Sequence, residues 1–364
     1  MTIKGEKYDG FAEEAGHTVH SPGDPPLVSI IIPCFNEEKY IGTILTNIVS
    51  QDYPLECLEV IVVDGMSTDG TRSVVQSFEK QHRFIHLADN ERRFVPFALN
   101  IGIDKSGGEV IMIMGSHSVY PLNYVSVLVK ALFELDADNV GGVCDTQPPT
   151  ATLRAKAIAE VISSPFGVGN SYFRIGAKER MKVDTVTFGC YRRSVFERIG
   201  KFDEDLLRNQ DDEFNSRLIR NGGSIYLIPE VRLVYYSREK IGSLLKMFYQ
   251  YGLFKPLVSL KNGKPATIRQ LVPFVFLLFI LGGLPLALMN PVLGLGYVGV
   301  TGLYFLLDLL FSFRICRTQR SPALFLILPW LFFALHLSYG TGYLAGLVNF
   351  VILKKKKTKI HSSR

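Results

Sequence analysis

Short apolar runs that end abruptly in polar loops alternate with helical patterns in the first part of the chain. Residues 58–63 form a β-branched run without helical period, which is typical of a strand buried on both faces of a parallel sheet. The following residues 72–80 are predicted to form a helix. One unit earlier, residues 27–32 predict another strand, and apolar side chains at 40, 41, 44, 45 and 48 predict the helix after it.

These two consecutive strand–loop–helix units predict an α/β domain that binds a nucleotide. In parallel sheets, ligands bind outside the carboxyl ends of the strands, and Asp64 lies at such an end. Gly65 and Gly70 allow the backbone to turn and to approach a polar ligand. The alternative is any doubly wound protein in which an acidic residue at a strand end only caps the next helix.

Long apolar stretches in the last quarter of the chain predict membrane-spanning helices. Residues 270–307 contain no charged side chain, and residues 321–353 contain none apart from His336. A bilayer-spanning helix needs about 20 such residues, so the first stretch predicts a hairpin of two helices, broken near 289–291. The second stretch is short for two crossings and long for one, which leaves three or four spans open. Buried helices of a soluble domain are the alternative.

Charge then predicts the orientation of the chain in the membrane. Basic clusters follow both stretches, at Arg314, Arg317 and Arg320 and at residues 354–357, and such clusters favour the cytosolic side. Residues 1–26 are polar and do not resemble a signal peptide, so we expect a cytosolic globular domain. The net charge of +6 suits contact with anionic lipid and a diphosphate substrate. No nucleic-acid-binding module is recognised in the sequence.

The cysteines are expected to be reduced structural thiols. The five cysteines, at 34, 57, 144, 190 and 316, lack the paired spacing of a metal site. Cys34 lies in the predicted nucleotide loop, where a small buried residue is the simpler interpretation.

Four short segments, in the same order along the chain, resemble inverting family 2 glycosyltransferases of the GT-A fold. They are PCFNE from 33, VVDGMSTDGT from 62, ALNIG from 98 and NQDDE from 209. The succinoglycan-type bacterial polysaccharide glucosyltransferases are the most similar group, and the resemblance covers residues 25–352. It implies a GT-A nucleotide-sugar-binding domain with a Rossmann-like mixed sheet, followed by transmembrane helices. The expected parts are a polar tail (1–26), the catalytic domain (27–235), an amphipathic interfacial segment (236–269), transmembrane helices (270–353) and a basic cytosolic tail (354–364).

The resemblance also implies a set of donor-binding residues. A nucleotide-sugar donor presents a base, a ribose and a diphosphate, and a carboxylate such as Asp64 suits a base edge with an N–H donor, for example uracil N3. A uridine nucleotide is therefore the expected donor. The implied donor-binding residues are Pro33, Asn36, Glu37, Asp64, Ser67, Asn100 and His117.

The metal-binding signature departs from the family pattern. Related enzymes read Asp-x-His after the strand at 110–114, whereas this chain has Gly115, Ser116 and His117. The motif normally brings Mg²⁺ or Mn²⁺ to the donor diphosphate, and an imidazole ligand such as His117 suits manganese better than magnesium. Three interpretations stay open: a weakened metal site, metal-free catalysis with Arg or Lys in place of the ion, or donor binding without turnover.

The acceptor side of the resemblance is better preserved. An inverting transfer needs a carboxylate to take the proton of the acceptor hydroxyl, and Asp211 aligns with that base. Gln210 replaces a common Glu. The resemblance also assigns Gly189, Asp212, Glu213 and Arg217 to the acceptor. The alternative is that these acidic residues only favour a helix N-terminus.

Together these observations predict a membrane-anchored enzyme that moves a hexose, with glucose as the expected sugar, from a UDP-sugar to a polyprenyl-diphosphate-linked saccharide. The product would enter surface polysaccharide biosynthesis. A Gln-x-x-Arg-Trp motif of processive synthases does not occur in the sequence, whose one tryptophan is Trp330. Two alternatives remain: a polyprenyl-phosphate glycosyltransferase, and a non-catalytic donor-binding subunit of a glycan assembly complex.

Overall fold

A computed structural model describes residues 24–263 and 267–355 of the chain. Residues 1–23 of the predicted polar tail (1–26) and residues 356–364 of the predicted basic tail (354–364) lie outside the described residues. Nine strands occur in the described part: β1 (Val28–Cys34), β2 (Leu58–Asp64), β3 (Ile85–Asp89), β4 (Val110–Ile113), β5 (Ser118–Val119), β6 (Asn139–Gln147), β7 (Met181–Lys182), β8 (Cys190–Arg192) and β9 (Ile225–Tyr236).

Thirteen α-helices connect and follow these strands in the described residues. Those of the globular part are α1 (Glu38–Val49), α2 (Thr71–Gln81), α3 (Val95–Lys105), α4 (Tyr124–Glu134), α5 (Leu153–Ser163), α6 (Pro165–Val168), α7 (Tyr172–Ile175), α8 (Arg193–Ile199) and α9 (Gln210–Arg220). The C-terminal ones are α10 (Ile241–Asn262), α11 (Val272–Met289), α12 (Pro291–Thr318) and α13 (Leu328–Gly346), which continues as a π-helix over Leu347–Ile352.

The sheet is mixed, with the strand order β3-β2-β1-β4-β8-β6-β9-β5, and β7 pairs with β9. Strands β1 to β4 are parallel to one another, and β8 is antiparallel to β4 and β6. The register pairs Cys34 with Asp64 and Asp64 with Asp89, so the carboxyl ends of β1, β2 and β3 meet at one edge. This confirms the predicted α/β domain with its mixed Rossmann-like sheet.

The side chains of β1 and β2 are almost all buried because helices cover both faces of the sheet. On one face they pack with α1, and on the other with α3, as the contacts of Ile30 and Ile41 and of Ile31 and Leu99 show. The five cysteines are free and buried, as predicted. Burial and the carboxylate of Asp64 raise the pKa of Cys34, so this thiol stays protonated.

Within the described residues, three helical stretches are long and apolar enough to cross a membrane: Ile268–Met289, Pro291–Thr318 and Leu328–Ile352. The first two form the predicted hairpin, which breaks at Asn290, whose side chain caps α12. Their apolar side chains point outward, since Leu288, Met289 and Leu295 are among the most exposed residues. The predicted interfacial segment contains α10, a 22-residue helix that packs along α13.

Candidate active site

The loops after β1 and β2 are tied together by hydrogen bonds at the carboxyl edge of the sheet. The backbone amide of Asn36, a residue with φ of 55°, donates to Oγ of Ser67 at 2.7 Å, and its Oδ1 accepts from the amide of Thr68 at 2.9 Å. The amide of Glu37 donates to Oγ1 of Thr71 at 2.7 Å. The sequence-predicted residues Asn36, Glu37 and Ser67 therefore lie in one connected pair of loops.

Asp64 lies where the sequence predicts, at the end of β2, and it is fully buried. Its carboxylate accepts hydrogen bonds from the amide and hydroxyl of Ser67, at 2.9 and 2.5 Å, and from Arg72 at 2.8 Å. Arg72 also contacts Asp89 at 2.8 Å. Asp64 thus orders the loop and the first turn of α2, and its contact with the base stays a prediction.

His117 lies beside the same loops. Its Nε2 is 2.8 Å from Oε1 of Glu37, and its ring packs edge-on against Tyr40 with 4.4 Å between centroids. Burial, and to a lesser degree the charge of Arg238, lower the pKa of His117 to about 4. The imidazole is therefore neutral at pH 7. A proton on Nε2, facing the carboxylate, leaves the lone pair of Nδ1 for a ligand.

A recess of about 210 Å³ opens at this edge of the sheet. Pro33, Gly115, His117, Gly189 and Asp211 are among its lining residues. Gly189 has no room for a side chain, because a Cβ there would lie 2.5 Å from Oδ1 of Asn139 and 2.6 Å from the ring of Tyr191. The recess therefore brings predicted donor and acceptor residues together.

The acidic residues of the NQDDE segment begin α9. Asn209 adopts a left-handed conformation with φ of 60°, and its side-chain amide donates to the carbonyl of Tyr251 in α10 at 2.9 Å. Asp212 forms an ion pair with Lys255, also in α10. Helix α10 thus fixes the start of α9 and with it the position of Asp211.

Asp211 is a carboxylate in an unusual setting. Protein surrounds the carboxylate of Asp211, but the side chain borders the recess and is exposed there. Its burial and the neighbouring charge of Asp212 raise the pKa of Asp211 to about 6, while Lys255 acts in the opposite direction. A carboxylate with such a pKa is ionised at pH 7 and accepts a proton more readily than an ordinary Asp.

A second, larger cavity of about 610 Å³ begins on the other side of Asp211. It shares Thr187, Phe188, Asp211 and Tyr235 with the recess, so Asp211 lies at the junction of the two spaces. Four cationic side chains and a wall of apolar ones from the membrane-associated helices border this cavity. The cations are Arg174, Arg208, Lys255 and Arg269, and the wall includes Phe166, Pro273, Phe276, Tyr304 and Leu335.

Seven predicted site residues border neither of these two spaces: Asn36, Glu37, Asp64 and Ser67 in the loops after β1 and β2, and Asn100, Glu213 and Arg217 elsewhere. The last three bond within the protein. The side chain of Asn100 bonds both the amide and the carbonyl of Phe202, at 3.0 and 2.9 Å, and also Glu204. Arg217 forms an ion pair with Glu213 at 2.9 Å and donates to the carbonyls of residues 199–201. These groups are engaged in holding α3 and α9 to the loop before α9.

Sequence reasoning missed three cations of the larger cavity, namely Arg174, Arg208 and Arg269. Arg174 belongs to a four-residue helix, and Arg269 lies in a 3₁₀ turn before α11. Neither belongs to a motif or to a periodic pattern, so no local signal marks them. They meet Asp211 only because α7, α10 and α11 converge there.

Whether a metal ion can bind depends on the side-chain ligands that the site provides. No group of three or more His, Cys, Asp or Glu side chains in residues 24–263 and 267–355 is placed to hold a metal ion. His117 offers Nδ1 as a nitrogen donor while Glu37 holds the imidazole through Nε2, so a manganese-type ion there would take its other ligands from a substrate and water.

Comparison with known proteins agrees with the geometry. The family model "Glycosyl transferase family 2" matches residues 29–200. The dolichyl N-acetyl-alpha-D-glucosaminyl phosphate 3-beta-D-2,3-diacetamido-2,3-dideoxy-beta-D-glucuronosyltransferase of Methanococcus voltae is 31% identical over 334 residues, which cover 88% of this chain and 97% of the relative. Succinoglycan biosynthesis protein ExoA of Rhizobium meliloti is 28% identical over 263 residues, 72% of this chain and 78% of the relative.

A solved structure shares the fold. It is a mannosyltransferase from Pyrobaculum calidifontis in complex with GDP-Man and Mn²⁺, with a TM-score of 0.58, 20% identity and coverage of 88% of both chains. The likeness supports a GT-A fold with a C-terminal helical region.

Proposed function

The chain belongs to glycosyl transferase family 2, and we propose that it is a membrane-bound inverting enzyme that transfers a hexose from a UDP-sugar to a lipid-linked saccharide. The observation that carries this proposal is the position of Asp211 between a recess at the carboxyl edge of the sheet and a cavity that reaches the membrane-associated helices. A base that serves both a donor and an acceptor must lie between them.

In the proposed reaction, Asp211 takes the proton of the acceptor hydroxyl. The hydroxyl oxygen forms a bond to the anomeric carbon of the donor sugar, and the bond from that carbon to the phosphate oxygen breaks. The nucleoside diphosphate leaves with the bonding electron pair. Asp212 and Lys255 set the charge around the base, and α10 holds its position.

We place the donor sugar in the recess, which Pro33 and His117 border, and the nucleoside at the adjoining loops that carry Asn36, Glu37, Asp64 and Ser67. The loops that carry these residues are connected by hydrogen bonds before any ligand binds, which lowers the cost of ordering them. Asp212 borders the larger cavity, where we place the acceptor, and Gly189 borders the recess beside Asp211. The buried bonds of Asn100, Glu213 and Arg217 favour structural roles for these three.

A divalent ion would be held by Nδ1 of His117, which Glu37 orients through Nε2, together with donor oxygens. When bound, such an ion neutralises charge on the departing nucleotide. The side chains of this chain position the sugar and accept the proton whether or not an ion is present.

We also propose that the enzyme is a multi-pass membrane protein with a cytosolic catalytic domain. The apolar hairpin of α11 and α12 supplies the anchor, and the basic residues at its C-terminal end, Arg314, Arg317 and Arg320, favour the cytosol. The name of the Methanococcus voltae relative includes a dolichyl-linked sugar phosphate, which supports an acceptor carried on lipid.

The test is nucleotide release by the purified full chain from a panel of UDP- and GDP-sugars, with lipid-phosphate-linked and lipid-diphosphate-linked saccharides as acceptors. We expect acceptor-dependent release of UDP, and a loss of about 10²-fold or more in Asp211→Asn. Asp145→Asn, at an exposed position of β6 outside both spaces, is the matched control.

The two alternatives give different results. Release with free polyprenyl phosphate and none with lipid-linked saccharide identifies a polyprenyl-phosphate glycosyltransferase. Donor binding without turnover under every condition identifies a non-catalytic donor-binding subunit and contradicts the proposal.

A further inference from the structure

One cation of the larger cavity has no ion-pair partner among residues 24–263 and 267–355. The guanidinium of Arg174 lies over the rings of Phe173 and Tyr235, with Cζ 5.2 and 5.6 Å from their centroids. Its Nη1 is buried, and among the described residues it has no hydrogen-bond partner. Leaving a buried charged donor unsatisfied is unfavourable, so this atom marks a place for an anion.

Two neighbouring cations differ from Arg174 in this respect. Lys255 is paired with Asp212, and Arg269 is paired with Asp184 at 2.6 Å and donates to Asn170 at 2.8 Å. These two charges are already compensated within the protein. Arg174 is therefore the better candidate for a ligand contact.

The rest of the cavity indicates what kind of anion fits. Beyond the cations, its wall is apolar and comes from α6, α11, α12 and α13, the elements nearest the predicted membrane. A ligand that suits both ends carries a phosphate and a hydrocarbon chain. We infer that Arg174 binds a phosphate oxygen of the lipid-linked acceptor, whose chain lies along Phe166, Pro273 and Phe276.

This inference rests on the proposed function for the identity of the acceptor. A phosphate could also come from the donor diphosphate, but Arg174 borders the larger cavity rather than the recess that holds Gly115 and His117. A guanidinium binds phosphate through two parallel N–H donors, which lysine cannot reproduce.

The experiment compares Arg174→Gln and Arg174→Lys with Arg83→Gln, a change at an exposed arginine between α2 and β3. Transfer is measured to one saccharide carried either on polyprenyl phosphate or on a phosphate-free alkyl chain. We expect Arg174→Gln to lower the ratio of kcat/KM for the two acceptors at least about tenfold, Arg174→Lys to lower it less, and Arg83→Gln to leave it unchanged.

A second measurement does not depend on transfer. Binding of polyprenyl phosphate itself to the full chain in detergent should weaken in Arg174→Gln and not in Arg83→Gln. If the acceptor ratio and this binding are both unchanged, or if only the donor KM rises, the inference is wrong. Binding that depends on Arg174 without any transfer would instead contradict the proposed function alone.

A different observation concerns α13, which has the length and composition of a membrane span. In its most apolar window 44% of the residues are buried inside the protein, against 6% for each helix of the hairpin. Its first half packs on α5, and Leu331 and Phe332 belong to one apolar cluster with Ile158 and Val161. A helix that crosses the bilayer by itself would not be covered in this way.

The second half of α13 lies against α10 at very short range. Ser338 donates to the carbonyl of Leu245 at 2.7 Å, and Gly342 and Gly346 leave no room for a Cβ beside the carbonyls of Tyr249 and Leu253. The partners advance in the same direction, so the two helices run parallel. Glycines allow this approach of two backbones.

Because α10 carries Lys255, which holds Asp212 beside the base, α10 cannot leave the catalytic domain for the bilayer core. We propose that α13 lies at the membrane surface with α10 and that only α11 and α12 span. The basic residues after α12 and those at 354–357 then lie on the same side, as their charge favours.

The test uses single cysteines in the full chain, probed with a membrane-impermeant thiol reagent in sealed vesicles of both orientations. The sites are Met289→Cys at the tip of the hairpin, Gln319→Cys after α12 and Lys354→Cys after α13, and the parent chain with its buried cysteines is the background control. We expect the cysteines at positions 319 and 354 to react from the same side of the membrane and the cysteine at position 289 to react from the opposite side. Labelling of 319 and 354 from opposite sides would show that α13 spans.

Discussion

The ring of Phe188 occupies the space that a side chain at position 115 would need. A Cβ built on Gly115 would lie 2.5 Å from Cε1 and 2.6 Å from Cζ of Phe188. Phe188 itself has a φ of 49°, an unusual conformation for an aromatic residue. The glycine that replaces the carboxylate of the metal signature is therefore what makes room for Phe188, whose ring borders both substrate spaces.

Restoring the carboxylate alone should destabilise the protein. Gly115→Asp forces the ring of Phe188 to move, and overpacking of this kind typically costs about 1–3 kcal/mol. Gly115→Asp with Phe188→Gly should recover most of that loss, since glycine accepts the positive φ. Thermal unfolding of both variants provides the measurement. Gly242→Asp is the control, because a Cβ at position 242 would have no neighbouring atom within 4 Å. Equal stability of the single and double variants would contradict the coupling.

The pH dependence of transfer should report the pKa of Asp211. Because the base works in its ionised form and its pKa is raised to about 6, kcat/KM should fall as the pH drops below about 6. Removing the positive charge in Lys255→Met raises this pKa, so the acid limb moves to higher pH. Removing the negative charge in Asp212→Asn moves it to lower pH. Shifts of the limb in the same direction in both variants would argue against this electrostatic account.

Asn100 should matter for stability more than for donor binding. Asn100→Ala removes two hydrogen bonds to the backbone of Phe202 and leaves buried groups unsatisfied, at a cost of about 1–3 kcal/mol. Urea unfolding measures the cost, with Asn123→Ala at an exposed position as the control. A KM for the donor within about twofold of the parent is expected; a large rise in KM with unchanged stability would restore the donor-binding role that the motif implies.

Metal use should depend on His117. We expect a chelator to lower transfer and Mn²⁺ to restore it more effectively than Mg²⁺, because an imidazole ligand favours the softer ion. In His117→Ala the response to Mn²⁺ should weaken by about tenfold or more, while His82→Ala, outside both substrate spaces, should behave as the parent. Full activity of the parent in chelator would support the metal-free interpretation instead.

Local sequence patterns were sufficient for the nucleotide-binding half of the protein. The β-branched runs before Asn36 and Asp64 form neighbouring parallel strands, because an apolar run of that length has few other ways to be buried. The charge-free stretch from 270 predicted the α11–α12 hairpin for a similarly local reason, since its composition alone excludes exposure to water.

Properties that depend on distant parts of the chain required the tertiary structure. Arg174 stands near Asp211 only because separate elements converge on one cavity, and Asn100 is withdrawn from the recess by a backbone segment 102 residues away. The apolar composition of α13 is the same whether lipid or α10 covers it; the close contacts of Gly342 and Gly346 with α10 decide which of the two does. Sequence determined which segments must be buried, and packing between distant segments decided what buries them.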